Sequence, residues 1–300
     1  MGRETLLTLL VMLFGGLVMQ PLALLPSPLR EPLAASPLGA ERKVWQRLWL
    51  PVVPVLVVGA WLCGWALREP DPVTTRFDHG MIISASLPFF VVALRAALRA
   101  IWVLLRRPAE LPVGTVGFVH PRVVFDPHLA REMDEGPMHA ALEHERAHAR
   151  HRDPLRIWLA QLAIDLQWPW PWAHRRFQAW LEILEHARDD EARSRGVSGT
   201  DLAAAVVAAA RHVRSNPRSA RGECLSGAQA ALLGDARALA VRVGRLLAPL
   251  PESPQLDEVS AWRTAAALAL LLLLLGAVLV WGAAFGNDIL HPFLLWTWTV

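Results

Sequence analysis

ALEHERAHARHRDPLRIW, residues 141–158, crowds ionisable side chains into a chain otherwise dominated by long apolar runs. Within it, His144-Glu145-Arg146-Ala147-His148 is an H-E-x-x-H pattern. Residues four apart on a helix share a face, near enough for two imidazoles to hold one cation between them. The glutamate beside the first histidine projects about 100° further round the helix, next to such a cation rather than on it, which is the place of a general base. His144 and His148 are therefore candidate Zn2+ ligands and Glu145 the candidate catalytic base. The competing interpretation is an ordinary charged amphipathic helix.

A catalytic zinc needs a third protein ligand and an open position for water. AWLEILEHARDDEAR, residues 179–193, offers one. Glu182, Glu185 and Asp189 fall on one helical face at spacings of three and four, where like charges repel unless something positive faces them. The spacing assigns Glu185 as third ligand, with Glu182 in reserve, and Asp189, one turn on, as acceptor for a ligand imidazole N–H. A solvated acidic face paired with Arg188 or Arg193 is the alternative. Asp153 is counted with Asp189 among the groups supporting the ligands. His151 shares the face of the two histidines but lies about 10 Å along the helix from His144, too far to join them; it is expected to pair with Asp153 or a lipid phosphate. His174 and His186 lack a partner at useful spacing, and His120, His128, His139 and His212 stand alone as structural residues.

The 300 residues are 54 % hydrophobic and 19 % charged, a balance that does not suit a soluble protein. A bilayer core requires about 20 apolar residues in a helix, and four stretches qualify: about 5–25, 49–67, 81–105 and 264–285. The first is read as a retained span rather than a secretory signal, because its only leading positive charge, Arg3, is offset by Glu4 and no small-x-small cleavage site follows. Arg95 and Arg99 sit in the last turns of the third, where their stems reach the interface. The first connection holds Arg30, Arg42, Lys43 and Arg47, whereas the tail after Phe285 has neither Lys nor Arg. By the positive-inside rule the segment 106–262 is cytoplasmic.

The domains read as three spans in 1–105, a cytoplasmic domain at 106–262, a fourth span at 263–286 and a short external tail at 287–300. Cys63 and Cys224 are too far apart to suggest a disulfide framework or a paired thiolate site. The sequence pI near 9.6 comes from dispersed arginines without a nucleic-acid motif, so they are assigned to anionic headgroups and no direct nucleic-acid binding is expected.

Inside the cytoplasmic segment, Pro and Gly alternate with short β-branched runs around His120-Pro121, predicting two short strands. Helices are predicted from Gly136 to about Arg152, from Asp153-Pro154 as cap and first position, from about His174 to Arg195, from Thr200 or Asp201 to about Val213, and over 228–247. The stretch from Leu155 to Leu166, followed by the WPWPW run at 168–172, reads as an interfacial helix ended by its prolines.

GFVHPRVVFDPHL, HERAH with the following ARHRDPLR, the WPWP turn and EHARDDEA occur in an order and spacing that resembles the BlaR/MecR-type membrane metallopeptidases, a branch of the gluzincins. The likeness covers roughly residues 112–250, with three spans before and one after. It implies a mostly α-helical membrane protein with about four transmembrane helices and a cytoplasmic α+β gluzincin-type zinc peptidase domain inserted before the last span. It also implies His144, His148 and Glu185 as ligands, Glu145 as base, the cytoplasmic membrane of a bacterium as location, and cleavage either of the chain itself or of a regulatory protein such as a transcriptional repressor. In the sensor members a penicillin-binding domain follows the fourth span. Here about fifteen residues follow, too few for a domain, so β-lactam sensing is not expected. Where the family often carries Cys before the supporting Asp, this chain has Arg188. Competing expectations are a membrane protease of the HtpX or CAAX-processing type and a non-enzymatic membrane signalling scaffold.

Overall fold

A computed structural model of the chain describes residues 9–10, 37–68, 76–105, 113–125, 127–167, 171–215, 236–250, 266 and 269–285. In chain order the elements are α1 (Pro37–Trp49), a 3-10 turn (Leu50–Val52), α2 (Val53–Ala66), α3 (Arg76–Leu105), β1 (Val113–Val116), β2 (Arg122–Phe125), α4 (Pro127–Glu132), α5 (Glu135–Arg150), α6 (Asp153–Asp165), α7 (Pro171–Ser194), α8 (Gly199–Ser215), α9 (Ala236–Leu247) and α10 (Ala269–Phe285). The protein is mostly helical. The expected first span and the external tail lie outside the described residues, apart from Leu9 and Leu10, which are helical.

Among the described residues, one run, Gly39–Ala66, is long and apolar enough to cross a membrane, and the apolar helix Ala269–Phe285 is shorter. The expected start at Trp49 falls inside this run, because α1 is already helical from Pro37. Pro51 and Pro54 do not break it. Pro51 sits in the tight 3-10 turn and Pro54 at the opening of α2, positions where a missing N–H leaves no intrahelical bond unmade.

Two compact units divide the chain, one of residues 1–25, 49–93 and 255–300, the other of 26–48 and 94–254. In the first, α2 and α10 approach backbone to backbone. A Cβ on Gly64 would lie 1.9 Å from the Leu279 carbonyl oxygen and one on Gly282 2.4 Å from that of Trp61, the close approach that small residues permit between apolar helices. Leu87, Phe90, Leu270 and Leu273 of this unit are exposed.

The second unit is built round α7. Phe177, Trp180, Leu181, Leu184 and Ala187 are all at most 2 % exposed, which makes α7 the central helix and takes Glu185, His186, Arg188 and Asp189 into the interior with them. A further core of Ala140, Ala192, Val197, Leu202, Ala203, Val206 and Leu246 joins α5, α7, α8 and α9. Alanines at 140, 141 and 147 keep α5 slim on its buried side, so that α7 and α8 approach it closely. The two expected strands form an antiparallel hairpin pairing Val113 with Phe125 and Val116 with Arg122; Gly117 turns it at φ +98°, a conformation costly for any residue with a Cβ.

Three local boundaries differ from expectation. Arg152, in the left-handed region at φ 53°, precedes α6, so Asp153 is the first helical residue and not its cap. The sharp turn aims the Asp153 carboxylate back at α5. Pro171 opens α7 rather than ending a helix, as proline at a first position does. Ser198, not Thr200 or Asp201, caps α8: its Oγ accepts the Thr200 backbone N–H at 3.2 Å.

α9 is docked through its C-terminal end. Leu246 is buried, Arg193 Nη2 donates to the Ala248 carbonyl at 2.6 Å, and Gly199 lies so close that a Cβ there would stand 2.1 Å from the Leu246 oxygen. Gly199→Val is expected to destabilise the protein by about 1–3 kcal/mol, the usual cost of forcing extra carbon into a packed contact. A thermal melt of the detergent-solubilised protein indistinguishable from wild type would contradict this packing.

Candidate metal centre

α5 and α7 lie side by side and face each other with polar residues that both bury: His144, Glu145 and His148 from α5, Glu185 and Asp189 from α7, all at most 8 % exposed. Burying this much charge is costly unless every group is paired or shares a cation. His144 Nε2 and His148 Nε2 are 3.1 Å apart. Glu185 closes the triangle, with Oε2 3.4 Å from His144 Nε2 and Oε1 3.5 Å from His148 Nε2. These three residues are the one group of three or more potential metal-binding side chains that converges among the described residues. Zinc bonds of about 2.0–2.1 Å in a tetrahedron place neighbouring ligand atoms roughly 3.3 Å apart, so the triangle matches one face of such a site.

The far side of each ring explains why the two nitrogens face each other. His148 Nδ1 is 2.9 Å from Asp153 Oδ2, and His144 Nδ1 is 2.9 Å from Asp189 Oδ1. An imidazole whose Nδ1–H is held by a carboxylate presents Nε2 as a bare lone pair. Two such lone pairs at 3.1 Å repel unless a cation or a proton lies between them. Burial by itself disfavours charge on His148, but the carboxylates of Glu185 and Asp153 outweigh it and push the ring up to about 10. His144 is also raised, its burial outweighed by Asp189 and Glu185. Glu185 is held well below the carboxylate range despite burial, by Arg242 and the two histidines. The pocket thus attracts positive charge.

Each supporting carboxylate has its own arginine. Asp153, fully buried, accepts from Arg188 Nε at 2.5 Å and Nη2 at 3.0 Å and from Arg156 Nη1 at 3.0 Å. Arg156 Nη2 reaches Glu41 Oε1 on α1 at 2.5 Å, and the same oxygen accepts the Trp180 indole N–H at 2.8 Å. Asp189 accepts from Arg242 Nε and Nη2, both at 2.8 Å, and Arg242 Nη1 lies 3.0 Å from Glu185 Oε2.

Glu145 stands outside the triangle, on the side of the hairpin. Thr115 Oγ1 lies 2.8 Å from Glu145 Oε2 and 2.9 Å from its backbone oxygen. The hairpin therefore positions the candidate base, a link that strand periodicity alone does not reveal.

The structure brings together His144, His148, Glu185, Asp189 and Asp153 and leaves out the others. Glu182, the reserve ligand, is exposed on α7. His151 does not pair with Asp153: its Nε2 meets Glu191 Oε2 at 2.8 Å, because the turn at Arg152 carries Asp153 inward. Arg150, on the same side, binds Glu143 and Glu191 at 2.8 and 2.9 Å. His174 is exposed. His186 is buried beside the site but outside the triangle, and burial, reinforced by Arg245 and Arg242, lowers it to about 4. Arg242 and Glu41 carry no local sequence signal, since Asp189 lies 53 residues from the one and Arg156 115 residues from the other.

Comparison with protein families, characterised proteins and solved structures finds no match to this chain.

Proposed function

We propose that the protein is a membrane-bound zinc metallopeptidase of the kind its sequence resembles, with His144, His148 and Glu185 holding the metal and Glu145 acting as base. The observation that carries this reading is the pair of Nε2 atoms 3.1 Å apart, each backed by a carboxylate at Nδ1. A soluble charged helix has no reason to bury two imidazoles in that arrangement, whereas a divalent ion makes it favourable. The metal is Zn2+ in this reading because two imidazoles and one carboxylate suit catalytic zinc and leave a fourth position open.

Zinc bound there would lower the pKa of a water towards 7 and polarise a carbonyl. The chain's own residues do the rest. Glu145, held by Thr115 at Oε2, takes the proton of the attacking water and gives it to the leaving amine. The Glu185 carboxylate and the two carboxylate-oriented imidazoles keep the centre rigid during that exchange. The substrate is a polypeptide, this chain itself or a regulatory protein such as a transcriptional repressor, and the β1–β2 hairpin is its proposed platform, receiving it as an added strand.

About four spans, with 106–262 facing the cytoplasm, are part of the same proposal. The helical run Gly39–Ala66 and the exposed leucines of α3 and α10 support membrane insertion, because a water-soluble surface seldom carries such rows of apolar side chains.

Metal analysis tests the centre directly. Purified protein is expected to carry close to one zinc per chain, and Glu185→Ala and His148→Ala to lose it, while both remain in the membrane fraction. Zinc retained at wild-type stoichiometry in both variants would remove the basis of the assignment.

A further inference from the structure

Among the described residues, Arg242 is the arginine that touches both carboxylates α7 contributes to the centre. Glu185 and Asp189 are one helical turn apart and both buried, an arrangement that costs repulsion unless a positive group lies between them. Arg242 fills that place from α9. Its Nε and Nη2 form a two-pronged contact with Asp189 at 2.8 Å each, and its remaining Nη1 reaches Glu185 Oε2 at 3.0 Å. A guanidinium fork fixes both direction and distance in a way an ammonium cannot.

We infer that Arg242 is a positioning residue of the metal centre, clamping the Glu185 carboxylate against the paired imidazoles and, through Asp189, holding the ring of His144. The inference rests on the zinc reading above and adds to it the group that fixes the ligand geometry. Glu185 presents Oε2 to His144 Nε2 at 3.4 Å and Oε1 to His148 Nε2 at 3.5 Å, and Arg242 Nη1 holds it in that orientation by its contact with Oε2. A carboxylate released from the guanidinium would be free to turn away from the face that the two imidazoles form. The Asp189 contact acts on the other ligand. It keeps an anion 2.9 Å from His144 Nδ1, which favours the proton on that nitrogen and leaves Nε2 to the metal.

The clamp comes from a separate element. α9 is held against α8 by Leu239, Val243 and Leu246 and tied to α7 by Arg245, which meets Asp190 at 2.5 Å. The metal ligands themselves all come from α5 and α7, so the centre can assemble without Arg242 but not with the same ligand geometry.

The test uses the full-length protein in detergent, stripped of metal and titrated with Zn2+ against a chromophoric chelator, then reloaded with Co2+ for its visible d–d spectrum. Arg242→Gln is expected to bind zinc about 10–100-fold more weakly, the usual effect of losing a group that orients a ligand. Its cobalt bands should shift as Glu185 leaves the orientation that the guanidinium holds. Arg242→Lys keeps the charge but cannot reach both carboxylates, and is expected to lose about tenfold. A merely structural residue would lower the melting temperature without moving the cobalt spectrum. Zinc affinity within twofold of wild type and an unchanged cobalt spectrum in either folded variant would overturn the inference and leave the zinc reading standing. Failure of the wild-type chain to take up zinc would remove both. If Arg242→Gln does not fold, Arg242→Lys decides alone by the same two readouts.

Discussion

Glu145→Gln is expected to leave zinc content and membrane insertion unchanged and to reduce proteolysis by about 10²–10⁴-fold, the range in which a positioned general base contributes. The separation follows from the geometry. Glu145 is not a member of the converging triangle, so amidation removes no metal ligand. It is buried and held at Oε2 by Thr115, and glutamine has the same shape and keeps an oxygen to accept that hydroxyl. What it lacks is the ability to take a proton. Cells expressing wild type and Glu145→Gln at equal levels should therefore differ in one respect, the appearance of a cleaved fragment of this chain or of a partner protein. Identical fragments in both would mean that cleavage does not pass through this site, and a variant without zinc would mean that Glu145 is a ligand and not a base. The same experiment separates the competing sequence expectations, since repressor fragments and fragments of misfolded or prenylated membrane proteins are readily told apart, and a scaffold would show no effect at all.

Much of this centre was legible in the chain because its chemistry follows helical periodicity. His144 and His148 share a face of α5 through their spacing of four, and Glu185 with Asp189 repeats that spacing on α7. The hairpin was marked by β-branched runs flanking His120-Pro121. Periodicity has nothing to say about which helix supplies the counter-charge. Arg242 reads as one of several arginines on an amphipathic helix, and only the docking of α9 shows that it turns inward between two acids. Arg188 fits a solvated acidic face as its counter-charge, yet it is fully buried. The misplacement of His151 has a simpler cause, a single left-handed residue. A straight helix through Arg152 would have turned Asp153 about 200° round from His151 and away from the face of His144 and His148; the φ of 53° at Arg152 sends it to His148 instead.

The second large effect is expected at Arg188. Its guanidinium and the Asp153 carboxylate are both without solvent exposure, and two hydrogen bonds join them. Burial opposes the charge on each, but the Arg188 and His148 contacts hold Asp153 far below its ordinary range, while Asp153 raises Arg188. Removing one member of such a pair strands the other, at a cost of about 3–5 kcal/mol. Arg188→Met should therefore lower the melting temperature by roughly 10 °C, given about 2–4 °C per kcal/mol for a domain of this size. Asp153 would retain Arg156, which places the effect towards the lower end. The consequence also reaches the metal, because a carboxylate freed from Arg188 no longer fixes the His148 ring, and zinc affinity should fall about 10–100-fold. Asp153→Asn in the Arg188→Met background distinguishes this from simple loss of packing. Neutralising the stranded carboxylate should recover part of the lost stability but none of the zinc affinity, since His148 would still lack its anionic partner. Recovery of both together, or of neither, would show that Asp153 does not link Arg188 to the metal ligand.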